Sequence, residues 1–431
     1  MQRQSATFCI SDVTIFKQQM LDWANQFNIC CFLDTHGYNN TVNTYDCLLA
    51  AGAETIFSAT YNILTQLKAF CKTQKDWLFG HFNYDLKNEI EPLVSKGIDN
   101  THFPDVFLFK PSIVVQLVKN NVTISSLTQT PKEIFKQIST YQSLAIPQTV
   151  ADTAIKQRIS RSEYIAIIEK IRQHILRGDC YEMNFCQEFF AEDIVVNPID
   201  VYKTLTKISP TPFSGYYKVE DKFLLCASPE RYIQKQGDVI ISQPIKGTAK
   251  RDINDAQNDE KLKTALYNSA KERSENVMVV DLVRNDLSKI CKEGTVAVDE
   301  LYGIYSFPQV HQMISTISGV LQTGVDVADI LTATFPMGSM TGAPKKKVME
   351  LIEQYEPVKR GIFSGTIGYI APDGDFDFNV VIRSIMYNCS TQYLNYLVGS
   401  AITFYSNPEE EYEECMLKAE AIEKVLSHRE M

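Results

Sequence analysis

Residues 361–405 read GIFSGTIGYIAPDGDFDFNVVIRSIMYNCSTQYLNYLVGSAITFY. Three runs in it are rich in β-branched and aromatic side chains, Ile362 to Ile370, Phe376 to Tyr387 and Leu394 to Tyr405, and each predicts a strand. Pro408 then opens a helix through Leu426, with Tyr412, Cys415, Met416, Ala419, Ile422 and Leu426 on one apolar face. Working back, Pro344 and the lysines after it open a helix to about Tyr355. Asn258 to Ser288 has a helical pattern, although its Val277–Val283 run also fits a strand. Phe223 to Cys226, Val239 to Ser242 and Cys180 to Phe190 are further strands. Ser160 and Glu163 form a capping box ahead of Tyr164, Ile168, Ile171 and Ile175 at helical spacing, and Gly178 stops that helix. Strands and helices come in clusters rather than in strict alternation, which predicts an α+β fold.

The segment Thr140 to Ser160, with Pro147 and many polar residues, is the best boundary between two regions, 1–150 and 151–431. In the first region Tyr45 to Leu67 reads as partly helical and Phe79 to Tyr84 as a short aromatic strand. The 431 residues carry a net charge of −10, with 45% apolar and 22% charged residues, so the chain has material for a core. Nucleic-acid binders usually show the opposite charge balance. Leu301 to Val325, as long as any stretch without Asp, Glu, Lys or Arg, is broken by Pro308, His311 and several Gln, Ser and Thr residues, so no membrane span is expected. Eleven scattered cysteines without a C-x-x-C pair point to free thiols and a cytoplasmic setting.

Four groups of residues could carry chemistry. Glu230 in ASPERY follows a strand; partial desolvation there would raise its pKa and make it a general acid, whereas the plain alternative is an exposed turn glutamate paired with Arg231. Lys246 in QPIKGTAK sits in a Pro-to-Gly turn; it becomes a nucleophile only as the free amine, which desolvation or the nearby Lys250 and Arg251 would favour, and otherwise it is a solvated lysine. Glu272 and Glu275 share one helix face, as do Glu411 and Glu414, so two helices could hold a Mg²⁺ ion; each pair alone also fits a solvated face or a helix first turn. Arg383 could fork onto a carboxylate or form a salt bridge on a sheet face, and the glycine turns around Gly338, Gly342 and Gly399 could offer amides to an anion. No G-x-S-x-G, H-E-x-x-H or zinc-type cysteine spacing is present.

Taken in order, GDCYEMNF, SPERY, PIKGT, ERSENVMVVDLVRNDL, FPMGSMTGAPK, GIFSGTIGY, VVIRS and PEEEYEE resemble the chorismate-utilising enzyme family. The likeness is strong over about 155–430 and weaker over the earlier segment with FLDTHGY and LFGHFNYDL. That family includes anthranilate synthase component I, isochorismate and salicylate synthases, and aminodeoxychorismate synthase component I. The resemblance implies an α+β fold of β-sandwich-like sheets surrounded by helices. It also implies a Mg²⁺-dependent enzyme whose catalytic domain is 151–431, behind an N-terminal region 1–150.

By motif position Glu230 resembles the acid that protonates the departing C4 hydroxyl. Glu275 and Glu414 resemble direct Mg²⁺ ligands, with Glu272 and Glu411 as water-mediated partners. Arg383 and Tyr369 match residues that hold a substrate carboxylate, helped by amides near Gly399 and Ala401, and Gly247, Thr248 and Thr341 match pocket-lining positions. PIKGT resembles the branch that aminates chorismate at C4, in which a lysine amine adds at C2 and ammonia then displaces it; the anthranilate synthase branch, the alternative, carries alanine in place of Lys246. Glu182 stands where the isochorismate and salicylate synthases carry a water-activating lysine, so water is not the expected nucleophile. No cysteine lies in a G-x-C-x-G elbow, so a separate glutamine amidotransferase subunit is the expected ammonia source. A catalytically silent chorismate-binding module is the reading from another class; the retained Glu230, Lys246 and four acidic residues argue against it.

Overall fold

The strand-forming runs are apolar at consecutive positions, and the reason is visible in a computed structural model that describes residues 3–38, 45–142 and 155–426. In the strand Ile29–Asp34, Cys30 and Phe32 enter one hydrophobic core while Ile29 and Cys31 enter another. Leu49 and Ala51 divide from Leu48 and Ala50 in the same way, as Tyr216 does from Tyr217. Side chains alternate across a strand, so a sheet covered on both faces needs apolar residues at every position.

That sheet runs, neighbour by neighbour, Gln4–Cys9, Asn121–Ser126, Val106–Val118, Cys47–Phe57, Ile29–Asp34, Phe213–Val219, Lys222–Ser228, Ser384–Asn388, Tyr393–Ile402 and Glu182–Ala191, all antiparallel. The first residues of Val106–Val118 also pair with Leu78–Phe82, which starts a second sheet. It continues through Thr366–Ile370, Phe376–Asn379, Arg231–Gln236, Val239–Gln243 and Val310–Val320 to Ile245–Lys250 and Ala297–Ser306. One core fills the space between the sheets. The other lies under helices Val13–Ala24, Pro131–Ser139, Arg161–Leu176, Pro198–Ile208, Lys345–Tyr355 and Pro408–Leu426. The architecture is α+β, a sandwich of sheets wrapped by helices.

Ladders cross the expected regional boundary: Ile29–Asp34 pairs with Phe213–Val219, and Leu78–Phe82 with Thr366–Ile370. Most of that boundary, 143–154, lies outside the described residues.

Local signals held where they were strong. Ser160 caps Arg161–Leu176 through a reciprocal box with Glu163. Two expectations differ, and one open alternative is decided in favour of the helix. Cys47–Phe57, inside the run read as partly helical, is a strand, because partners on both edges and cores on both faces override its local pattern; the helix begins only at Ile63. The Val277–Val283 run is helical, within Ala270–Ser288, which Ser269 caps. The run Phe376–Tyr387 is two strands, broken at Arg383, whose φ of +51° cannot continue a ladder. Among the described residues no helix is long and apolar enough to cross a membrane, and all eleven cysteines are free.

Candidate active site

Glu230 occupies the corner between Lys222–Ser228 and Arg231–Gln236. Ser228 Oγ accepts from its amide at 3.1 Å, and its carbonyl accepts from Val380 N at 3.0 Å, so the corner is fixed at both ends. Its carboxyl is buried and takes a 2.6 Å hydrogen bond from Ser339 Oγ. It is not paired with Arg231, which turns to Asp377 instead. Burial pushes the Glu230 carboxyl up to about 7, against the opposing pull of Ser339, Lys246, the Ile245 amide and Arg383. A carboxylic acid half-protonated near neutrality can give up a proton to a leaving oxygen.

Lys246 sits on the strand Ile245–Lys250, where the register against Val310–Val320 shifts, and not in a free turn. Gly247 beside it has φ +96°, and a Cβ there would stand 3.0 Å from Glu272 Oε2, so the glycine brings the lysine strand onto the acidic helix. The Lys246 ammonium lies 2.7 Å from Glu182 Oε1, the glutamate buried and the lysine side chain 10% exposed. Burial alone would lower its pKa, but Glu182, then Glu275 and Glu230, leave it raised. The expected free amine beside cations is therefore corrected: at rest Lys246 is an ammonium among carboxylates, and Arg251 is bound to Asp259.

Glu182 opens the buried strand Glu182–Ala191, and Asn184 follows on the same face, its amide nitrogen donating to Ser339 O at 3.3 Å. Behind them the buried pair Arg360–Glu356 fixes the strand: Arg360 donates to Asn184 O at 2.8 Å and Met340 O at 2.6 Å, and Glu356 accepts from Cys186 N at 2.9 Å. Gly342 is forced by the same packing, since a Cβ would stand 2.1 Å from Glu182 O. Arg383 faces Glu230, and among the described residues no side chain accepts a hydrogen bond from its guanidinium. An unclaimed guanidinium beside a carboxylic acid suits a carboxylate ligand.

Ser269 caps the helix Ala270–Ser288 and so sets Glu272 in its first turn and Glu275 one turn on, while Ser315 Oγ ties Asn276 to the second sheet at 2.6 Å. The helix Pro408–Leu426 presents Glu411, buried, and Glu414, whose carboxylate Lys418 pairs at 2.7 Å. Glu272 feels the charge of Glu414, and Glu275 that of Glu272 and Glu182. Burial raises Glu272, Glu411 and, to about 7, Glu275; Lys418 and Lys271 outweigh burial at Glu414 and lower it. Glu272, Glu275 and Glu411, which burial holds back from ionising, would be relieved by a positive charge, and an all-oxygen donor set suits Mg²⁺, which takes one or two carboxylates and fills its shell with water and ligand. Among the described residues no group of three or more His, Cys, Asp or Glu side chains is placed to hold a metal ion.

Other expected residues fall differently. Tyr369 stands apart: it packs on Tyr45, Trp77 and Phe79 and lines a second cavity with Leu33, Asp34 and Phe213. Its placement comes from pairing opposite Phe79, which turns it toward the N-terminal strands. Gly399 and Ala401 are ladder residues opposite Cys186 and Asn184, not a turn after the strand. Thr341 is buried with its hydroxyl donating to Met337 O at 3.1 Å, and Thr248 is exposed opposite Gln312. Two residues of the cluster, Ser339 and Glu182 in its contact with Lys246, were missed, although both lie inside quoted motifs; only their long-range partners distinguish them.

The chain belongs to the chorismate-binding enzyme family, whose sequence profile matches residues 30–424. It is 38% identical over 259 residues to aminodeoxychorismate synthase component 1 of Bacillus subtilis (strain 168), covering 60% of this chain and 54% of that one. It is 31% identical over 402 residues to aminodeoxychorismate synthase component 1 of Klebsiella aerogenes, covering 90% and 87%. The crystal structure of anthranilate synthase component I from Streptococcus pneumoniae TIGR4 superposes with a TM-score of 0.71 at 26% identity, covering 80% of each chain.

Proposed function

We propose that this chain aminates chorismate at C4 to give 4-amino-4-deoxychorismate, the precursor of p-aminobenzoate, using ammonia from a separate glutamine amidotransferase subunit. The observation that carries this reading is Lys246, held against the buried Glu182 and within the field of Glu230. In the branch that forms anthranilate ammonia itself adds at C2, and a lysine in that place has no use.

In this reading the Lys246 amine adds to ring C2 while the C4–O bond breaks. Glu230, protonated by virtue of its burial, gives the departing oxygen its proton. Arg383 orients the ring through a substrate carboxylate, and the packed walls around Glu182 and Ser339 exclude water. Glu275 and Glu414, with Glu272 and Glu411 beside them, are the residues that would hold Mg²⁺. When bound, the ion supplies positive charge for a substrate carboxylate and relieves the crowded acids. The component 1 relatives from Bacillus subtilis and Klebsiella aerogenes support both the reaction and the need for a second component.

The test is incubation of the pure chain with chorismate, ammonium and Mg²⁺, followed by mass analysis. A non-aromatic product with nitrogen in place of the C4 hydroxyl is expected; fluorescent anthranilate, or unchanged chorismate, refutes the reading.

A further inference from the structure

Lys246 rests as an ammonium, yet the proposed reaction needs its lone pair, so a base must act on it within the closed site. We infer that Glu182 is that base: it takes the proton of Lys246 before the ring is attacked and returns it after the lysine is expelled. This rests on the covalent amination reading above and adds a catalytic residue to it.

Three observations point to Glu182. Its Oε1 is already 2.7 Å from Lys246 Nζ, at hydrogen-bond length and with no rearrangement required. Its side chain is 1% exposed, so no bulk water competes for the proton. Its second oxygen, Oε2, is buried without a hydrogen-bond partner. With no other donor on the carboxylate, the lysine proton is the one it is placed to take. Once the ring excludes water, a neutral amine and carboxylic acid replace a desolvated ion pair. The charged groups that face Lys246 are Glu182 from the strand Glu182–Ala191, Glu275 from the helix Ala270–Ser288 and Glu230 from the strand corner. Glu230 has to be the acid in the same step and cannot also be the base. Glu275 belongs to the acidic cluster suited to Mg²⁺.

The steps balance. Glu182 takes H⁺ from the ammonium, leaving a free amine. The amine forms a bond to C2, the ring double bonds shift, and the C4–O bond breaks with its pair on oxygen. Glu230 protonates that oxygen and water leaves. Ammonia then bonds to C4, the double bonds shift back, and the C2–N bond breaks with its pair returning to Lys246. Glu182 gives the amine its proton back, and solvent reprotonates Glu230.

The experiment compares the parent with Glu182→Gln and Glu182→Ala, each shown folded by thermal melting and each assayed with chorismate, ammonium and Mg²⁺. Intact-protein mass is also measured without ammonium, where a lysine adduct of chorismate less water should accumulate. Glu182→Gln keeps the shape and an acceptor for Lys246 but cannot take a proton. We expect kcat/KM to fall ~10²-fold or more, the range for loss of a general base, with adduct formation slowed in parallel. Formate, a small carboxylate able to enter the gap, should restore at least ~10-fold to Glu182→Ala, which a merely structural role would not allow. A Glu182→Gln protein with the parent's rate and adduct yield, or a Glu182→Ala protein that formate leaves unchanged, overturns the inference. A parent that makes no aminated product instead overturns the amination reading itself.

Discussion

Removing the Ser339 hydroxyl should move the pH profile of the reaction without touching the substrate. Ser339 Oγ donates to Glu230 Oε1 at 2.6 Å and helps hold the carboxyl at about 7 against burial, which alone would take it higher. A hydrogen bond to an ionised group is worth ~1.5–3 kcal/mol. Dividing by 1.36 kcal/mol per pH unit, Ser339→Ala should shift the Glu230 titration upward by ~1–2 pH units. The direction is set because the hydroxyl stabilises the charged form more than the neutral one. Glu230 acts as an acid only while protonated, so the parent's kcat/KM falls as pH rises through about 7. In Ser339→Ala the fall should come at ~8–9 with the low-pH plateau largely kept. The assay is initial-rate kinetics with ammonium from pH 6 to 10. A profile whose alkaline limb stays at the parent's position would refute the reasoning that Glu230 is the titrating acid and Ser339 its partner.

Lys246→Ala should abolish amination at C4 or redirect nitrogen to C2, so mass and fluorescence analysis should show no aminodeoxychorismate; unchanged product and rate would exclude the covalent route. Glu275 is raised from an ordinary 4.5 to about 7, so its charged form destabilises the metal-free fold as pH rises through that range. In EDTA, Glu275→Gln should therefore melt with the parent at low pH and above it beyond pH ~7, while added Mg²⁺ should raise the parent's Tm more than the variant's. Arg360→Leu leaves Glu356 buried and unpaired and frees the carbonyls of Asn184 and Met340. It should cost ~3–5 kcal/mol in urea unfolding.

The parts of this protein legible in its sequence are those decided by neighbours along the chain. The box of Ser160 and Glu163, the helix opened by Pro408 and the strand from Glu182 onward depend on residues a few positions apart. Within Tyr45 to Leu67, read as helical in part, only the end from Ile63 is helical, and the strand Cys47–Phe57 was not legible because its partners lie elsewhere in the chain, in Ile29–Asp34 and Val106–Val118. The site divides along the same line. The motifs bring Glu230, Lys246, Arg383 and the four acidic residues of the two helices to notice, and the fold gathers them. Their electrostatics were not legible: Lys250 and Arg251 adjoin Lys246 in sequence, whereas the groups acting on it in space are Glu182, Glu275 and Glu230. Tyr369 shows the opposite failure, a residue singled out by its motif that strand register carries into another aromatic cluster.

The ladders that join Ile29–Asp34 to Phe213–Val219 and Leu78–Phe82 to Thr366–Ile370 bear on how the gene can be cut. A fragment starting near residue 155 would keep every acid and base of the cluster and still lack the neighbours that seal two of its strands. Those bared edges invite self-association, so a trimmed version of this enzyme is a recipe for inclusion bodies, and separately expressed halves would have to be made together to mend one another.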